Sequence, residues 1–241
     1  MQKEKEVTFL MPCLNEEKTI EESIKMAKKF INKNNIDAEI LIIDNGSTDN
    51  SSNIAKKNNA RVVLETKKGY GSALRRGIFE AQGKYIIMGD CDTTYDFEHV
   101  EEFLQKLREE YDLVMGNRFK GGIQKGAMPI SHKIGVKFLS FIAKKKFKVE
   151  INDFHCGIRG INTKTAKELQ FKSEGMEFAT EMIYQFRANN KKIIEIPTKL
   201  YKCKNTERKP HLKAINDGIR HIKFIIESTS TKQKQKNTQK Q

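Results

Sequence analysis

The chain has 241 residues and a formal net charge of +14. That length suffices for one domain with its own buried core, so the fold does not require disulfide bonds or structural metal ions for stability. The four scattered cysteines include no Cys-x-x-Cys pair, which argues against a disulfide framework and a structural zinc site. Residues 201–241 hold eleven basic and three acidic side chains, or +8, so the charge is concentrated at the C-terminal end. Such charge suggests nucleic acid, an anionic membrane or a phosphate-rich substrate as partner.

Strand-like and helical patterns alternate over the first 120 residues. The predicted strands are 7–11, 38–43, 61–64, 85–88 and 113–115. The predicted helices are 18–32, 50–58, 72–81 and 97–108. Four of the strands are almost purely apolar, as is typical of parallel strands covered on both faces. We therefore predict a Rossmann-like α/β domain with a mostly parallel sheet flanked by helices.

The pattern changes after residue 120, but no Pro/Gly/Ser-rich linker interrupts the chain. The predicted elements are a helix at about 132–145, an irregular stretch at 152–160, a helix at 176–188 and a strand at 192–200. We predict a single domain over residues 1–200, with halves of about 1–120 and 120–200.

The C-terminal end is predicted to leave the domain as a basic amphipathic helix over 201–227. Its apolar stripe consists of Leu212, Ile215, Ile219, Ile222 and Ile226. This stripe suits either an anionic membrane surface or packing on the domain. Residues 228–241 contain no hydrophobic side chain and are predicted to be disordered.

The sequence shows neither a membrane-spanning segment nor a secretory signal peptide. No stretch reaches the roughly 18 to 20 apolar residues that a membrane-spanning helix needs. Residues 1–6 lack the apolar segment of a secretory signal peptide. We therefore expect a cytoplasmic protein.

Ligands of open parallel sheets bind at the carboxyl ends of the strands, so the strand ends are the first place to look for a site. The first strand runs into PCLNEE at 12–17, which has none of the glycines that a dinucleotide-binding turn requires. The second runs into DNGSTD at 44–49, where Asp44 could accept hydrogen bonds from a ribose or a base. The alternative is a plain turn followed by a helix cap.

A third strand end carries two carboxylates, Asp90 and Asp92, on either side of Cys91. Mg²⁺ and Mn²⁺ prefer oxygen ligands, and protein carboxylates commonly share such an ion with substrate phosphates and water. Asp-x-Asp is common by chance, and its place at a strand end is what favours a metal site. We expect Cys91 to point away into the core.

These segments resemble glycosyltransferase family 2, which has the GT-A fold. The resemblance lies in PCLNEE at 12–17, DNGSTD at 44–49, GSALRRG at 71–77 and DCD at 90–92. Further segments are similar to the branch of dolichol-phosphate mannose and polyprenyl-phosphate glucose synthases. They are GNRF at 116–119, GAMP at 126–129, DFHCGIRG at 153–160 and GMEF at 175–178.

The resemblance implies a set of donor-binding residues. Those that bind the base, ribose and sugar of a nucleotide sugar would be Pro12, Leu14, Glu16, Asp44 and Asp90. Asp90 and Asp92 would hold Mg²⁺ or Mn²⁺ on the diphosphate, which makes Asp92 a catalytic residue. One departure is Asn45, which stands where many members have a second Asp.

The resemblance also implies acceptor-side residues. Asp153 matches the catalytic base of the family, although an ionised lipid phosphate needs no base and Asp153 could then orient the acceptor or the metal cluster. Arg118 and Arg159 would bind phosphate, with a structural salt bridge as the alternative for Arg118. His155 is the competing candidate as base or as phosphate ligand, with a purely structural role as its alternative. Glu177 is a weaker candidate, because a carboxylate at a helix start is favourable in itself.

The expected function is inverting transfer of a sugar from a UDP- or GDP-sugar to a polyprenyl phosphate. The protein would then be peripheral on the cytoplasmic face of the membrane, bound to anionic lipid or to a membrane-anchoring partner protein. A polysaccharide or protein hydroxyl is the alternative acceptor, and it would require a true base at Asp153. A sugar nucleotidyltransferase would need a Gly-rich phosphate loop after the first strand. A nucleic-acid-binding protein would interleave aromatics with its basic residues, whereas residues 202–241 contain only Phe224.

Overall fold

The fold is given by a computed structural model that describes the backbone of residues 5–205 and 214–238, and the side chains of 5–205 and 216–228. Within these residues the strands are β1 (Lys5–Cys13), β2 (Ala38–Asp44), β3 (Arg61–Leu64), β4 (Gly83–Met88), β5 (Leu113–Asn117), β6 (Arg159–Asn162) and β7 (Ile193–Pro197). The helices are α1 (Ile20–Asn34), α2 (Ser51–Lys57), α3 (Tyr70–Glu80), α4 (Glu101–Arg108), α5 (Arg118–Gly121), α6 (Ile130–Phe147), α7 (Thr163–Glu168), α8 (Phe178–Ala188) and α9 (Ala214–Thr238).

The strands form one seven-stranded sheet in the order β3-β2-β1-β4-β6-β5-β7. All neighbouring pairs are parallel except those of β6, which runs antiparallel to β4 and β5. The predicted single α/β domain with a mostly parallel sheet is confirmed. Helices cover both faces of the sheet. Successive residues of a strand point to opposite sides, so an apolar strand contributes to a core on each face. In β1, for example, Phe9 joins one core cluster and Leu10 the other.

The sheet brings the expected strand ends together. The β1–β2 register places Cys13 beside Asp44, and the β1–β4 register pairs Leu10 with Met88, two residues before Asp90. Since β1, β2, β4 and β5 are parallel, the loops that follow them lie along one edge of the sheet. The antiparallel β6 starts at that edge, so the preceding segment 152–158 reaches it as well.

Strand β6 was not predicted. It overlaps the end of the stretch 152–160 that we expected to be irregular. The strand is only four residues long and begins with Arg159 and Gly160, so it lacks the apolar run that predicts a buried strand. Its place in the sheet depends on pairing with β4 and β5, which are distant in sequence.

Helix α9 differs from the prediction at its C-terminal end. Its backbone is helical to Thr238, so the disorder expected from Ser228 onward is wrong for 228–238. The reason is that this segment contains no Gly or Pro, and its Lys and Gln residues are good helix formers that extend a helix already packed on the domain. Leu212 and residues 239–241 lie outside the described residues.

The described part of α9 packs on the domain through one face. Asp217, His221, Ile225 and Ser228 are buried, whereas the predicted stripe residues Ile219, Ile222 and Ile226 face outward. Across the part of the chain that the structure describes, no helix is long and apolar enough to cross a membrane.

Candidate active site

The loop after β2 orients the carboxylate of Asp44. This side chain is 7% exposed; its Oδ1 accepts the Ser47 N–H at 2.9 Å and its Oδ2 accepts the Ser52 hydroxyl at 2.5 Å. The adjacent loop after β1 is joined to it, because the Thr48 N–H donates to Asn15 Oδ1 at 2.8 Å. Asp44 therefore lies at a strand end, and its carboxylate is held by two loops that are hydrogen-bonded to each other. This position suits a residue that binds a ribose or a base.

Asn45 holds the loop between β3 and α3. Its side-chain amide donates to the carbonyls of Glu65 and Lys67 at 3.0 and 2.9 Å, and its Oδ1 accepts the Gly69 N–H at 2.7 Å. A carboxylate could accept but not donate in this position. Asn45, the departure from the family pattern, thus has a structural role: it holds the loop between β3 and α3.

Three other residues predicted to bind the nucleotide sugar lie at the end of β1 and in the loop after it. Pro12 and Leu14 are half-buried. Glu16 is 3% exposed; its N–H donates to Ser51 Oγ at 2.8 Å and its Oε2 accepts the Thr19 hydroxyl at 3.1 Å. The loop is therefore well ordered beside Asp44, and its contact with a nucleotide stays a prediction.

Asp92 is held by the residues that follow it. It is 4% exposed, and its Oδ1 accepts both the N–H of Thr94 at 3.0 Å and the Thr94 hydroxyl at 2.5 Å. Thr93 between them has φ of 64°, a left-handed conformation that is unfavourable for a β-branched residue. Cys91 is buried with its thiol directed to the Pro12 carbonyl at 3.2 Å, as expected for a residue that is not a ligand.

The segment after β7 supports this loop from the outside. The Lys204 N–H donates to Thr93 Oγ1 at 3.3 Å, and the Tyr201 N–H donates to the Thr94 carbonyl at 3.0 Å. The Lys204 ammonium also pairs with Glu22 on α1. The strained backbone at Thr93 is therefore supported by the segment after β7, which is itself joined to α1.

Asp90 contacts both the α3 helix and the segment before β6. Tyr70 of α3 lies beside Asp90, and burial together with the charge of Asp90 raises the pKa of Tyr70 well above its usual value, so the phenol stays protonated. On the other side, a Cβ added at Gly157 would lie 2.7 Å from Asp90 Oδ2 and 2.9 Å from the Tyr95 ring. Gly157 thus lets the acceptor-side segment approach Asp90 closely.

Arg118 and Asp153 form a buried ion pair. Arg118 Nε and Nη2 lie 2.8 and 2.7 Å from the two oxygens of Asp153, and the Arg118 backbone N–H adds a third bond of 3.1 Å. Asp153 is 0% exposed and Arg118 is 7% exposed. The structural salt bridge that was the alternative for Arg118 is therefore present, and its partner is the predicted base.

Glu195 on β7 fixes this pair. Its Oε1 accepts the N–H groups of Asn152 and Asp153 at 2.7 and 2.9 Å, and its Oε2 accepts the Asn117 side-chain amide at 2.7 Å. Glu195 was not among the residues predicted from the sequence, although a single acidic residue inside an apolar strand was a usable signal.

Arg159 has a structural role that the sequence did not indicate. It is 1% exposed, and its Nε, Nη1 and Nη2 donate to the carbonyls of Cys156, Ala179 and Phe154 at 3.0, 2.9 and 2.9 Å. All its nitrogens are thus engaged with backbone, so this geometry does not support the expected phosphate contact. Arg159 joins the segment before β6 to α8.

His155 lies against His221 of α9. The ring centroids are 4.4 Å apart, and both ring nitrogens of His155 are buried without a hydrogen-bond partner among the described residues. Burial, followed by His221 and Arg118, lowers the pKa of His155 well below its usual value. Burial also lowers the pKa of His221 to about 4, and its Nδ1 contacts the Thr180 hydroxyl at 2.8 Å. Both rings are therefore neutral at pH 7.

Glu177 lies just before α8. Its Oε1 accepts the Gly175 N–H at 3.1 Å, while its Oε2 is buried without a hydrogen bond in the described part of the chain. The side chain of Glu177 makes no capping hydrogen bond to the first turn of α8, so its role at the helix start stays a prediction.

The acidic residues at the strand ends have the chemistry of a hard-metal site. Asp90 and Asp92 offer carboxylate oxygens, but no group of three His, Cys, Asp or Glu side chains among the described residues could hold a metal ion alone. Such a pair fits Mg²⁺ or Mn²⁺ only when substrate oxygens and water complete the coordination.

Comparison with known proteins agrees with this arrangement. Residues 8–170 match the profile of the family described as Glycosyl transferase family 2. The low-salt glycan biosynthesis hexosyltransferase Agl6 of Haloferax volcanii is 34% identical over 222 residues, which are 91% of this chain and 53% of that protein. The chain thus spans about half the length of that relative. The dolichyl-phosphate hexose transferase of the same organism is 26% identical over 160 residues, 66% of this chain and 68% of that protein.

A solved structure shares the fold. Glucosyl-3-phosphoglycerate synthase from Mycobacterium tuberculosis, in complex with Mn²⁺, UDP-glucose and phosphoglyceric acid, matches 92% of this chain and 79% of that chain with a TM-score of 0.72 and 18% identity. The same enzyme with Mg²⁺ and UDP matches with a TM-score of 0.71 and 20% identity, over 93% of this chain and 79% of that chain. The profile match, the sheet order and the strand-end carboxylates lead to one assignment: the chain belongs to glycosyltransferase family 2 and has the GT-A fold.

Proposed function

We propose that this enzyme transfers a hexose, with inversion of configuration, from a UDP- or GDP-sugar to a polyprenyl phosphate. The enzyme would work at the cytoplasmic face of a membrane, bound to anionic lipid or to a membrane-anchoring partner protein. The observation that carries the acceptor part is the buried ion pair between Arg118 and Asp153. The name of the relative, dolichyl-phosphate hexose transferase, supports the same acceptor class.

The ion pair bears on the choice between the two acceptor classes. A hydroxyl acceptor must lose its proton to a base as it attacks. The carboxylate of Asp153 is fully buried, and both of its oxygens accept N–H groups from Arg118, three in all. A carboxylate held in this way is badly placed to take a proton from a bound hydroxyl. A phosphate monoester, by contrast, is already ionised near pH 7 and needs no base.

Arg118 is then the ligand of the acceptor phosphate. Its Nη1 makes no hydrogen bond within the described part of the chain, whereas Nε and Nη2 are held by Asp153. Asp153 would act as a positioning residue that fixes the guanidinium, in the orienting role considered as an alternative to the base. His155 would add an N–H of its neutral ring, since its nitrogens are buried without a partner among the described residues.

The donor would lie along the strand ends. Its nucleoside would contact Pro12, Leu14, Glu16 and Asp44, and its diphosphate and sugar would face Asp90 and Asp92. When bound there, Mg²⁺ or Mn²⁺ would neutralise the charge that develops on the departing nucleoside diphosphate.

A neighbouring residue prepares the carboxylate of Asp92 for that ion. Thr94 fixes one oxygen of Asp92. This contact limits the rotation of the carboxylate, which favours a defined arrangement of the metal and the diphosphate.

A labelled-sugar assay tests the proposal. The protein is incubated with Mn²⁺, polyprenyl phosphate in detergent and either labelled UDP-glucose or labelled GDP-mannose, and the mixture is extracted with organic solvent. We expect label in the organic phase with one of the donors, in a product of inverted anomeric configuration. Label that enters only water-soluble polysaccharide or protein would contradict the lipid acceptor. Arg118→Lys serves as the variant that loses two-point pairing but keeps the charge.

A further inference from the structure

Helix α6 exposes a stripe of large apolar side chains. Ile130, Ile134, Phe138 and Phe141 are 75%, 65%, 58% and 55% exposed. Their spacing of four, four and three residues places them on one side of the helix. The opposite side, with Ala143 and Phe147, is buried in the core. Packing within the domain therefore accounts for only one side of α6.

Helix α9 exposes a second apolar stripe. Ile219, Ile222 and Ile226 are 59%, 40% and 60% exposed, while Ile225 on the opposite side is buried in the same core cluster as Ala143 of α6. The two helices pack against each other. We call the surface formed by the seven exposed residues of both helices the α6–α9 face. An exposed patch of this kind marks an interaction site.

The charge around the α6–α9 face is basic. Helix α6 contains five lysines and no acidic residue. Lys145 lies 4.4 Å from the centre of the Phe141 ring, next to the apolar stripe. Apolar side chains beside lysines are typical of helices that lie on anionic bilayers. A second copy of the chain is disfavoured, because a two-fold interface would set the lysines of one α6 close to those of the other.

Helix α6 also contacts the residues next to the Arg118–Asp153 pair. Ser140 of α6 accepts the N–H of Phe154, the residue after Asp153, at 3.2 Å. Lys137 of α6 lies 4.9 Å from the centre of the Phe119 ring, the residue after Arg118. The helix that carries the apolar stripe is therefore in direct contact with both neighbours of the ion pair.

We infer that the α6–α9 face binds the surface of an anionic bilayer, with Phe138 and Phe141 in the headgroup boundary. Arg118 then lies close to the bilayer, where the phosphate of a membrane-held acceptor is found. The inferred binding to the bilayer rests only on the exposed apolar residues and on the charge of the lysines of α6. The delivery of the acceptor rests on the proposed function.

Vesicle sedimentation tests the bilayer contact without any substrate. The full chain is mixed with vesicles of phosphatidylcholine, or of phosphatidylcholine and phosphatidylglycerol, and the bound fraction is measured. We expect binding to the anionic vesicles that weakens as salt is added. The double variant Phe138→Ser/Phe141→Ser should reduce the partition coefficient roughly tenfold or more. Phe79→Ser is the matched control, because Phe79 is 72% exposed on α3 and should not change binding.

Two further measurements separate the possible failures. One contrary outcome is a wild type that is a dimer in solution and a double variant that is a monomer, with no vesicle binding by either protein. The face would then be an interface between copies of the chain, and the inference would be overturned. Equal vesicle binding by wild type and double variant, with both folded, would also overturn it. Transfer to a short, water-soluble prenyl phosphate should be unchanged in the double variant. If the wild type binds vesicles but transfers to no prenyl phosphate, the proposed function fails while the bilayer contact stands.

Discussion

The carboxylate of Asp153 faces the guanidinium of Arg118 in a buried two-point ion pair with N–O distances of 2.8 and 2.7 Å. The two residues are 35 positions apart, and Glu195 on β7 accepts the Asp153 backbone N–H from a third part of the chain. A buried pair of this kind is costly to break, because the remaining charge has no water to solvate it. This geometry supports the positioning role proposed for Asp153 and the phosphate contact proposed for Arg118.

Breaking this pair should destabilise the fold. Asp153→Asn leaves the Arg118 charge buried without a counter-charge, so we expect the free energy of unfolding in urea to fall by about 3 to 5 kcal/mol. Glu150→Gln is the matched control: that carboxylate is 91% exposed and pairs with Lys144 at 2.7 Å. An exposed pair of this kind contributes only about 0 to 1 kcal/mol. Similar small losses in both variants would contradict a tight buried pair.

Removal of the Asp92 carboxylate should abolish transfer without unfolding the protein. Asn keeps the side-chain oxygen that Thr94 can bond to, but it lacks the negative charge that a divalent ion requires. We expect Asp92→Asn to lower the transfer rate at least about a hundredfold, with little change in melting temperature. Paramagnetic resonance of added Mn²⁺ in the presence of UDP or GDP should show weaker binding. Asp37→Asn, at an exposed site, is the control; wild-type turnover by Asp92→Asn would remove the metal role.

The hydroxyl of Thr94 should tune the metal affinity through Asp92. Thr94→Val loses the 2.5 Å hydrogen bond to Asp92 Oδ1 but retains the shape of the side chain. We expect Mn²⁺ affinity, measured by titration in the presence of nucleotide, to fall about tenfold. Thr94→Ser keeps the hydroxyl and should bind like the wild type. If the Ser variant loses as much affinity as the Val variant, the hydrogen bond is not the cause.

Arg159 should matter for stability rather than for acceptor affinity. Arg159→Lys cannot reach the three carbonyls that the guanidinium engages, so buried acceptors are left unsatisfied. We expect a loss of about 2 kcal/mol or more in urea unfolding. Arg75→Lys, which loses a single exposed bond to the Lys172 carbonyl, should be nearly neutral. A stable Arg159→Lys protein with a raised KM for the acceptor would instead restore the phosphate-binding role.

His221 should make the fold acid-sensitive. Burial lowers its folded-state pKa to about 4, against the opposing charges of Glu177 and Asp217, from an ordinary value of 6.5. The unfolded chain therefore binds the proton first as pH falls. The stability due to neutral His221 is complete above about pH 6.5 and is lost toward pH 4, by up to about 3 kcal/mol. The depressed pKa of the adjacent His155 acts in the same direction.

Urea unfolding at pH 5 and pH 7 measures this effect. His221→Asn retains a polar group toward Thr180 but cannot take up the proton, so its stability should differ less between the two pH values than that of the wild type. His99→Asn, at an exposed ring paired with Asp96, should not reduce the difference. A wild type that is equally stable at both pH values would contradict a buried neutral His221.

The strand-end residues could be predicted from the sequence, because parallel strands have long apolar runs and the residue after each run lies at the ligand-binding edge. Asp44, Asp90 and Asp92 were identified in this way, and Arg118 follows β5 as expected. The family resemblance added the acceptor segment around Asp153. These predictions rest on local patterns that a single sequence displays.

The partners of these residues could not be predicted in the same way. The Arg118–Asp153 pair, the carbonyls around Arg159 and the His155–His221 contact each join segments that meet only once the antiparallel β6 and helix α9 are in place. A short strand that starts with Arg and Gly gives no apolar signal, and the buried face of α9 depends on the surface it covers. Long-range packing thus decides which residues bind ligand and which hold the structure.

The most direct test of the acceptor assignment compares two lipids that differ only in the phosphate. A polyprenyl phosphate and the polyprenol of the same chain length are each offered with the same labelled donor and Mn²⁺. If Arg118 binds an ionised acceptor and Asp153 is no base, label should enter only the phosphate, with its anomeric configuration inverted. Transfer to the polyprenol at a comparable rate would contradict this account, since that reaction requires a base that Asp153, in its ion pair, would not supply.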